Sequence, residues 1–212
     1  MKQENPYLKK ECLTFYFGFI LIYIGLGIFN YINRSQWIID NILSMASITI
    51  LLFLVPRLKF RKWEYFFCCI GFLIHNLGTF GFYELSFGFL NYDDIVHLTT
   101  TAIAGYVLFN FLAKSIIVNN IKQSQKKPKL NSLNKAVIMI LAVVSIVTLL
   151  GVFIEQVEFM GFMYLGPGEG ILFYGSGDGE NPGEVRSQYI DTMKDMNMNF
   201  IGALSGSLFY YF

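Results

Sequence analysis

From Leu13 onward the chain keeps returning to continuous apolar runs, and these limit what it can fold into. Six of them, at roughly 13–33, 38–55, 63–83, 92–113, 135–155 and 190–212, approach or reach the ~17–25 residues that a helix needs to cross a bilayer. The runs lack the period-2 alternation of a transmembrane barrel, and in hydrocarbon only helices and closed barrels satisfy their own backbone. Charged residues make up 15% of the chain, where a soluble domain carries about 25%. The sequence therefore predicts an all-α, polytopic membrane helix bundle of about six transmembrane helices, with 1–212 forming a single integral-membrane domain. The first run is long and has no small-residue cleavage site behind it, so it reads as an uncleaved helix and not a signal peptide.

Basic residues orient the bundle. Lys2, Lys9 and Lys10 precede the first run, "RLKFRK" (57–62) separates the second from the third, and Lys114, "KQSQKKPK" (122–129) and Lys135 separate the fourth from the fifth. Thirteen of the 16 Lys and Arg thus fall on one side, leaving Arg34, Arg186 and Lys194 on the other. The positive-inside rule then predicts cytoplasmic termini for a multi-pass protein of the inner or plasma membrane.

The acids are distributed the opposite way. Glu4, Glu11 and Glu64 lie on the basic side, and the other twelve of the 15 lie towards the opposite side. Acids contribute little to orientation, so this asymmetry needs another cause. "NYDDIVHLTT" (91–100) places Asp93 four residues and Asp94 three residues before His97, so either acid can share a helix face with the imidazole. Glu155 and Glu158 in "EQVE" are also three apart, and Asp191, Asp195 and Asn199 form one stripe at i, i+4, i+8. His75 in the third run lies at a similar depth. Beyond the stripe, "GALSG" supplies small residues that let helices approach closely.

Burying such a set is costly. An ionised Asp at mid-bilayer costs ~2.5–3.5 kcal/mol on translocon-derived scales, and clustered carboxylates cannot all ionise without compensation. Protons, a bound cation or an aqueous cavity can each compensate. Mixed carboxylate and imidazole ligands suit Zn, Mn or Fe. The expected metal ligands are His75, Asp93, His97, Glu155, Glu158, Asp191 and Asp195, with Glu155 and Asp195 also expected as catalytic carboxylates.

In order along the chain, "HNLG", "YDDIVH", "EQVE" and "DTMKDMNMNFIGALSG" resemble motifs of the YjdF-like bacterial inner-membrane proteins. Those show a histidine, then Tyr-Asp-x-x-x-His, a Glu-x-x-Glu pair and an Asp-Thr-x-x-Asp-Met segment before a Gly-Ala helix. The match falls on His75, Tyr92, Asp93, His97, Glu155, Glu158, Asp191, Thr192, Asp195, Met196, Gly202 and Ala203, and it passes over Asp94. A fainter likeness is to VanZ-like proteins. The YjdF-like family often has Trp after the second Glu and before Asp-Thr, where this chain has Phe159 and Ile190. The resemblance implies a site and leaves the reaction open.

Between the fifth and sixth runs, 159–189 is Gly-rich and reads as a flexible connection or a lid; its "DGENPGE" lacks the ligand spacing of an EF-hand. Walker A, H-E-x-x-H and G-x-S-x-G motifs are absent. Three function classes fit. One is a metal-dependent membrane enzyme acting on a lipid-linked or envelope substrate. Another is an ion- or proton-coupled transporter or channel that uses the same acids. The third is a structural or assembly protein. The near-absence of polar residues in the first two runs favours the enzyme. Expected partners are membrane lipid and a lipid-linked substrate, with no nucleic acid.

Overall fold

The computed structural model describes residues 6–122, 132–175 and 183–211, with side chains over 10–114, 133–175 and 183–209. The basic stretch 123–129, Lys2, and the 176–182 part of the Gly-rich segment lie outside the described residues. Among the described residues the α-helices are six: α1 (Pro6–Asn33), α2 (Ile38–Leu58), α3 (Lys62–Asn76), α4 (Tyr92–Lys122), α5 (Ser132–Tyr164) and α6 (Val185–Tyr211). Strands β1 (Ser86–Phe87) and β2 (Leu90–Asn91) pair antiparallel as a minimal hairpin, turned at Gly88 with φ 75°. The fold is all-α.

Among the described residues, four stretches are long and apolar enough to cross a membrane: Lys10–Asn33, Ile38–Leu58, Tyr92–Lys114 and Leu133–Tyr164. The interior and exterior are inverted relative to a soluble domain. Phe53, Leu21 and Phe153 are 75%, 70% and 64% exposed, whereas Asn30, Asn41, Asn76, Asp94, Asp195 and Asn199 are at most 2% exposed. Apolar residues on the outside and paired polar residues within are what a lipid environment demands.

Two helix ends differ from the sequence expectation. The helix predicted over 63–83 ends at Asn76, and the chain continues in 3-10 turns at Leu77–Phe80 and Phe82–Glu84. Gly81, at φ 76°, carries the left-handed turn between them. The Gly-rich connection is shorter than 159–189, because α5 runs on to Tyr164 before Gly166, at φ 87°, closes it.

Packing divides into two groups joined through α3 and α4. Helices α1, α2 and α3 enclose one core around Tyr23, Ile48, Val55, Tyr65 and Cys69. Helices α4, α5 and α6 enclose another around Phe109, Val143, Val147 and Ala203, with α4 and α6 in the most extensive contact. That closeness depends on glycine. A Cβ at Gly202 would strike Thr101 and the Leu98 carbonyl, and one at Gly206 would strike the Ala102 carbonyl.

Candidate metal centre

The start of α4 separates the roles of its two aspartates. Asp94 sits three residues after Asn91 and accepts the Asn91 backbone N–H at 2.6 Å, half of a capping box. Lys194 of α6 also meets Asp94 at 2.6 Å. Asp94 therefore caps the helix and ties α4 to α6, while Asp93 turns towards His97.

His97 is the hub. Its Nε2 lies 3.5 Å from Asp93 Oδ1, and its Nδ1 lies 3.6 Å from Glu155 Oε1 on α5. Nδ1 also hydrogen-bonds Asn199 Oδ1 on α6 at 3.1 Å. Two overlapping sets of ligand atoms result, Asp93–His97–Asp195 and His97–Glu155–Glu158, each with its atoms within 4.8 Å of one another. Asp195 is 2% exposed, and its Oδ1 has no hydrogen-bond partner among the described residues. Asp93 and Asp195 meet side chain to side chain. Asp191, one turn earlier on α6, is half-buried and interacts electrostatically with Asp195.

The small residues of α4 and α6 make this convergence possible, since Gly202 and Gly206 bring the stripe of Asp195 and Asn199 against the His97 face. Gly151 on α5 does the same from the other side: a Cβ there would meet Asn199 Nδ2 at 2.6 Å.

His75 lies outside both ligand sets. Its Nε2 is 2.9 Å from Asp40 Oδ1 on α2, its Nδ1 is 2.6 Å from the Tyr83 hydroxyl, and the Trp37 ring packs edge-on 5.3 Å away. Beside this pair runs a buried ladder of amides. Asn30 donates to Asn41 at 2.5 Å and to Thr79 at 3.3 Å, Asn41 donates to Asn76, and Asn76 donates to Ser44 at 2.7 Å. Tyr83 links the two regions, as its hydroxyl interacts electrostatically with Asp93, Glu158 and Asp40. The start of the Gly-rich segment packs over the Asp40 side: the Ile171 N–H reaches Asp40 Oδ1 at 3.3 Å, and Glu169 accepts from Ser35 at 2.6 Å.

Sequence reasoning missed Asp40, Tyr83 and the ladder as parts of this region. It treated the first two helices as nearly apolar, yet Asn30, Asp40, Asn41 and Ser44 are all buried within them. The available signal was the amides themselves, since an Asn in an otherwise apolar run needs a partner inside the protein.

The four stretches able to span a bilayer, together with the polar interior, describe a membrane protein. No curated protein and no solved structure matches the chain significantly. Residues 12–212 match the family described as predicted membrane protein (DUF2238), and the chain belongs to that family.

Proposed function

We propose that the chain is a divalent-cation-dependent membrane enzyme whose site is built around His97 and acts on a lipid-linked or envelope substrate. The observation that carries this reading is the convergence of Asp93, His97, Glu155, Glu158 and Asp195 from three helices, with Asp195 Oδ1 buried and without a hydrogen-bond partner among the described residues. Buried carboxylates facing one another repel unless a cation or a proton stands between them. One imidazole and several carboxylates suit Zn, Mn or Fe. A cation held by His97 and the converging carboxylates would lower the pKa of a bound water for attack on an ester or phosphoester, and a neighbouring carboxylate that does not ligate it would take up the proton. The motif likeness to YjdF-like proteins supports the same residues. The excess of basic residues at the other end of the bundle supports a site on the outer side of a multi-pass inner-membrane protein.

A second reading rests on the ladder. Asp40, His75, Tyr83 and the Asn30–Asn41–Asn76 chain give a polar region in the first three helices, which an ion- or proton-coupled transporter also needs. Against it, the interior on the basic-loop side of the ladder is filled by Tyr23, Leu26, Ile48, Val55 and Cys69.

Elemental mass spectrometry of the detergent-purified protein, beside a His97→Ala variant, tests the first reading. About one equivalent of Zn, Mn or Fe, lost in the variant, is the expected result. Failure to take up any of these metals when each is supplied refutes it and directs attention to proton flux in vesicles.

A further inference from the structure

The two ring nitrogens of His97 have different nearest carboxylates, Asp93 Oδ1 at 3.5 Å from Nε2 and Glu155 Oε1 at 3.6 Å from Nδ1, and hydrogen bonding distinguishes them. Asn199 presents its side-chain oxygen to Nδ1 at 3.1 Å, and an oxygen that can only accept matches the Nδ1–H tautomer. Glu155 Oε1, 3.6 Å from the same nitrogen, favours that proton too. In that neutral tautomer Nε2 carries the lone pair, and it faces Asp93 at 3.5 Å, with Asp195 in the same cluster of ligand atoms. A lone pair and two buried carboxylates, one of them with an oxygen lacking a hydrogen-bond partner among the described residues, converge where only a cation or shared protons relieve the repulsion.

Resting on the cation reading above, we propose that the metal is held by His97 Nε2 with Asp93 and Asp195, and that Asn199 is the residue that positions the imidazole for it. Glu155 assists from the Nδ1 side and is not a ligand. A ligating histidine generally donates its other N–H to an oxygen acceptor, which fixes both the tautomer and the ring plane. The acceptor here is itself held in place. Asn199 is 1% exposed, and its amide packs against Gly151, where even a methyl group would displace it. The sequence of α5 thus contributes a missing side chain to a site formed by α4 and α6.

The chain contains two histidines, so the full-length protein selectively labelled with ¹⁵N-histidine gives two imidazoles, and His75→Gln assigns them. Zinc is the probe, because it is diamagnetic. In the metal-free protein His97 should carry its proton on Nδ1, and added zinc should shift Nε2 while Nδ1 stays protonated. Asn199→Ala should weaken zinc binding by about 10–100-fold and let the tautomer mix, and Gly151→Ala should act in the same direction. Asn199→Asp keeps an acceptor at that place and should restore the Nδ1–H tautomer. The wild-type spectrum decides the ligating nitrogen even if a variant fails to fold. Zinc on Nδ1 would overturn the assignment in favour of Glu155 and Glu158 while leaving the cation reading intact. Unchanged zinc affinity in a folded Asn199→Ala protein would overturn the positioning role. Absence of zinc binding altogether would overturn both.

Discussion

At the residue scale, the two histidines have different surroundings and should respond differently to mutation. Asp195→Asn keeps the side-chain volume but replaces a carboxylate of the Asp93–His97–Asp195 cluster with an amide, a far poorer metal ligand. It should lower zinc affinity at least tenfold, as isothermal titration would show, with folding retained. Asp40→Asn removes the acid paired with His75, 2.9 Å from its Nε2, and should leave zinc uptake within about twofold of wild type. Equal loss in both variants would mean one merged centre. The His97 cluster was legible because its pairs are local: an i,i+4 spacing in an apolar helix fixes a shared face from sequence alone. Asp40 and His75 are 35 residues apart, and only the packing of α2 on α3 brings them together. Depth along a helix can be counted from the sequence, but the identity of the neighbouring helix cannot, and His75 was grouped with His97 for that reason.

Among the elements, the closeness of α4 and α6 determines whether the site exists. Gly206→Ala should cost about 1–3 kcal/mol through overpacking, because its Cβ has nowhere to go against the Ala102 carbonyl. Gly18→Ala is the control. Nothing lies within 4 Å of a Cβ at Gly18, so that change should be neutral, or stabilising by up to about 1 kcal/mol. Denaturation in mixed micelles reads both. At the basic-loop end, Glu64 is 1% exposed; it accepts the Arg61 N–H at 2.8 Å and pairs with Lys114 at 3.2 Å, tying α3 to α4. Lys114→Met strands that carboxylate and should destabilise by about 3 kcal/mol in the same assay, since a buried charge without its partner is worse than no pair. The "GALSG" motif foretold close packing in the sequence. The early end of α3 was harder to see: just beyond it Gly78 packs where a Cβ would strike the ring of Trp37, the residue that precedes α2.

For the whole molecule, the controlling fact is a polar interior at one end of an apolar exterior. Both histidine regions lie at the end away from the basic loops, and below each the core turns apolar, at Ile48 and Val55 in one half and Val143 and Val147 in the other. Which side of the membrane that end faces decides what substrates can reach it. Basic residues orient a protein through short loops close to the spans, and those of this chain are short and one-sided, so the His97 end should face outwards. Single cysteines give the test. Cys12 and Cys69 are fully buried, and replacing all three native cysteines with alanine leaves a clean background. Phe89→Cys, at the hairpin tip where the side chain is 85% exposed, should react with a membrane-impermeant maleimide on intact cells. Arg57→Cys, exposed at the opposite end, should react only after the membrane is permeabilised. The reverse pattern would leave the metal assignment standing, since ligation depends on helix packing and not on orientation. It would, however, exclude an envelope substrate presented from outside and place the chemistry on the cytoplasmic face.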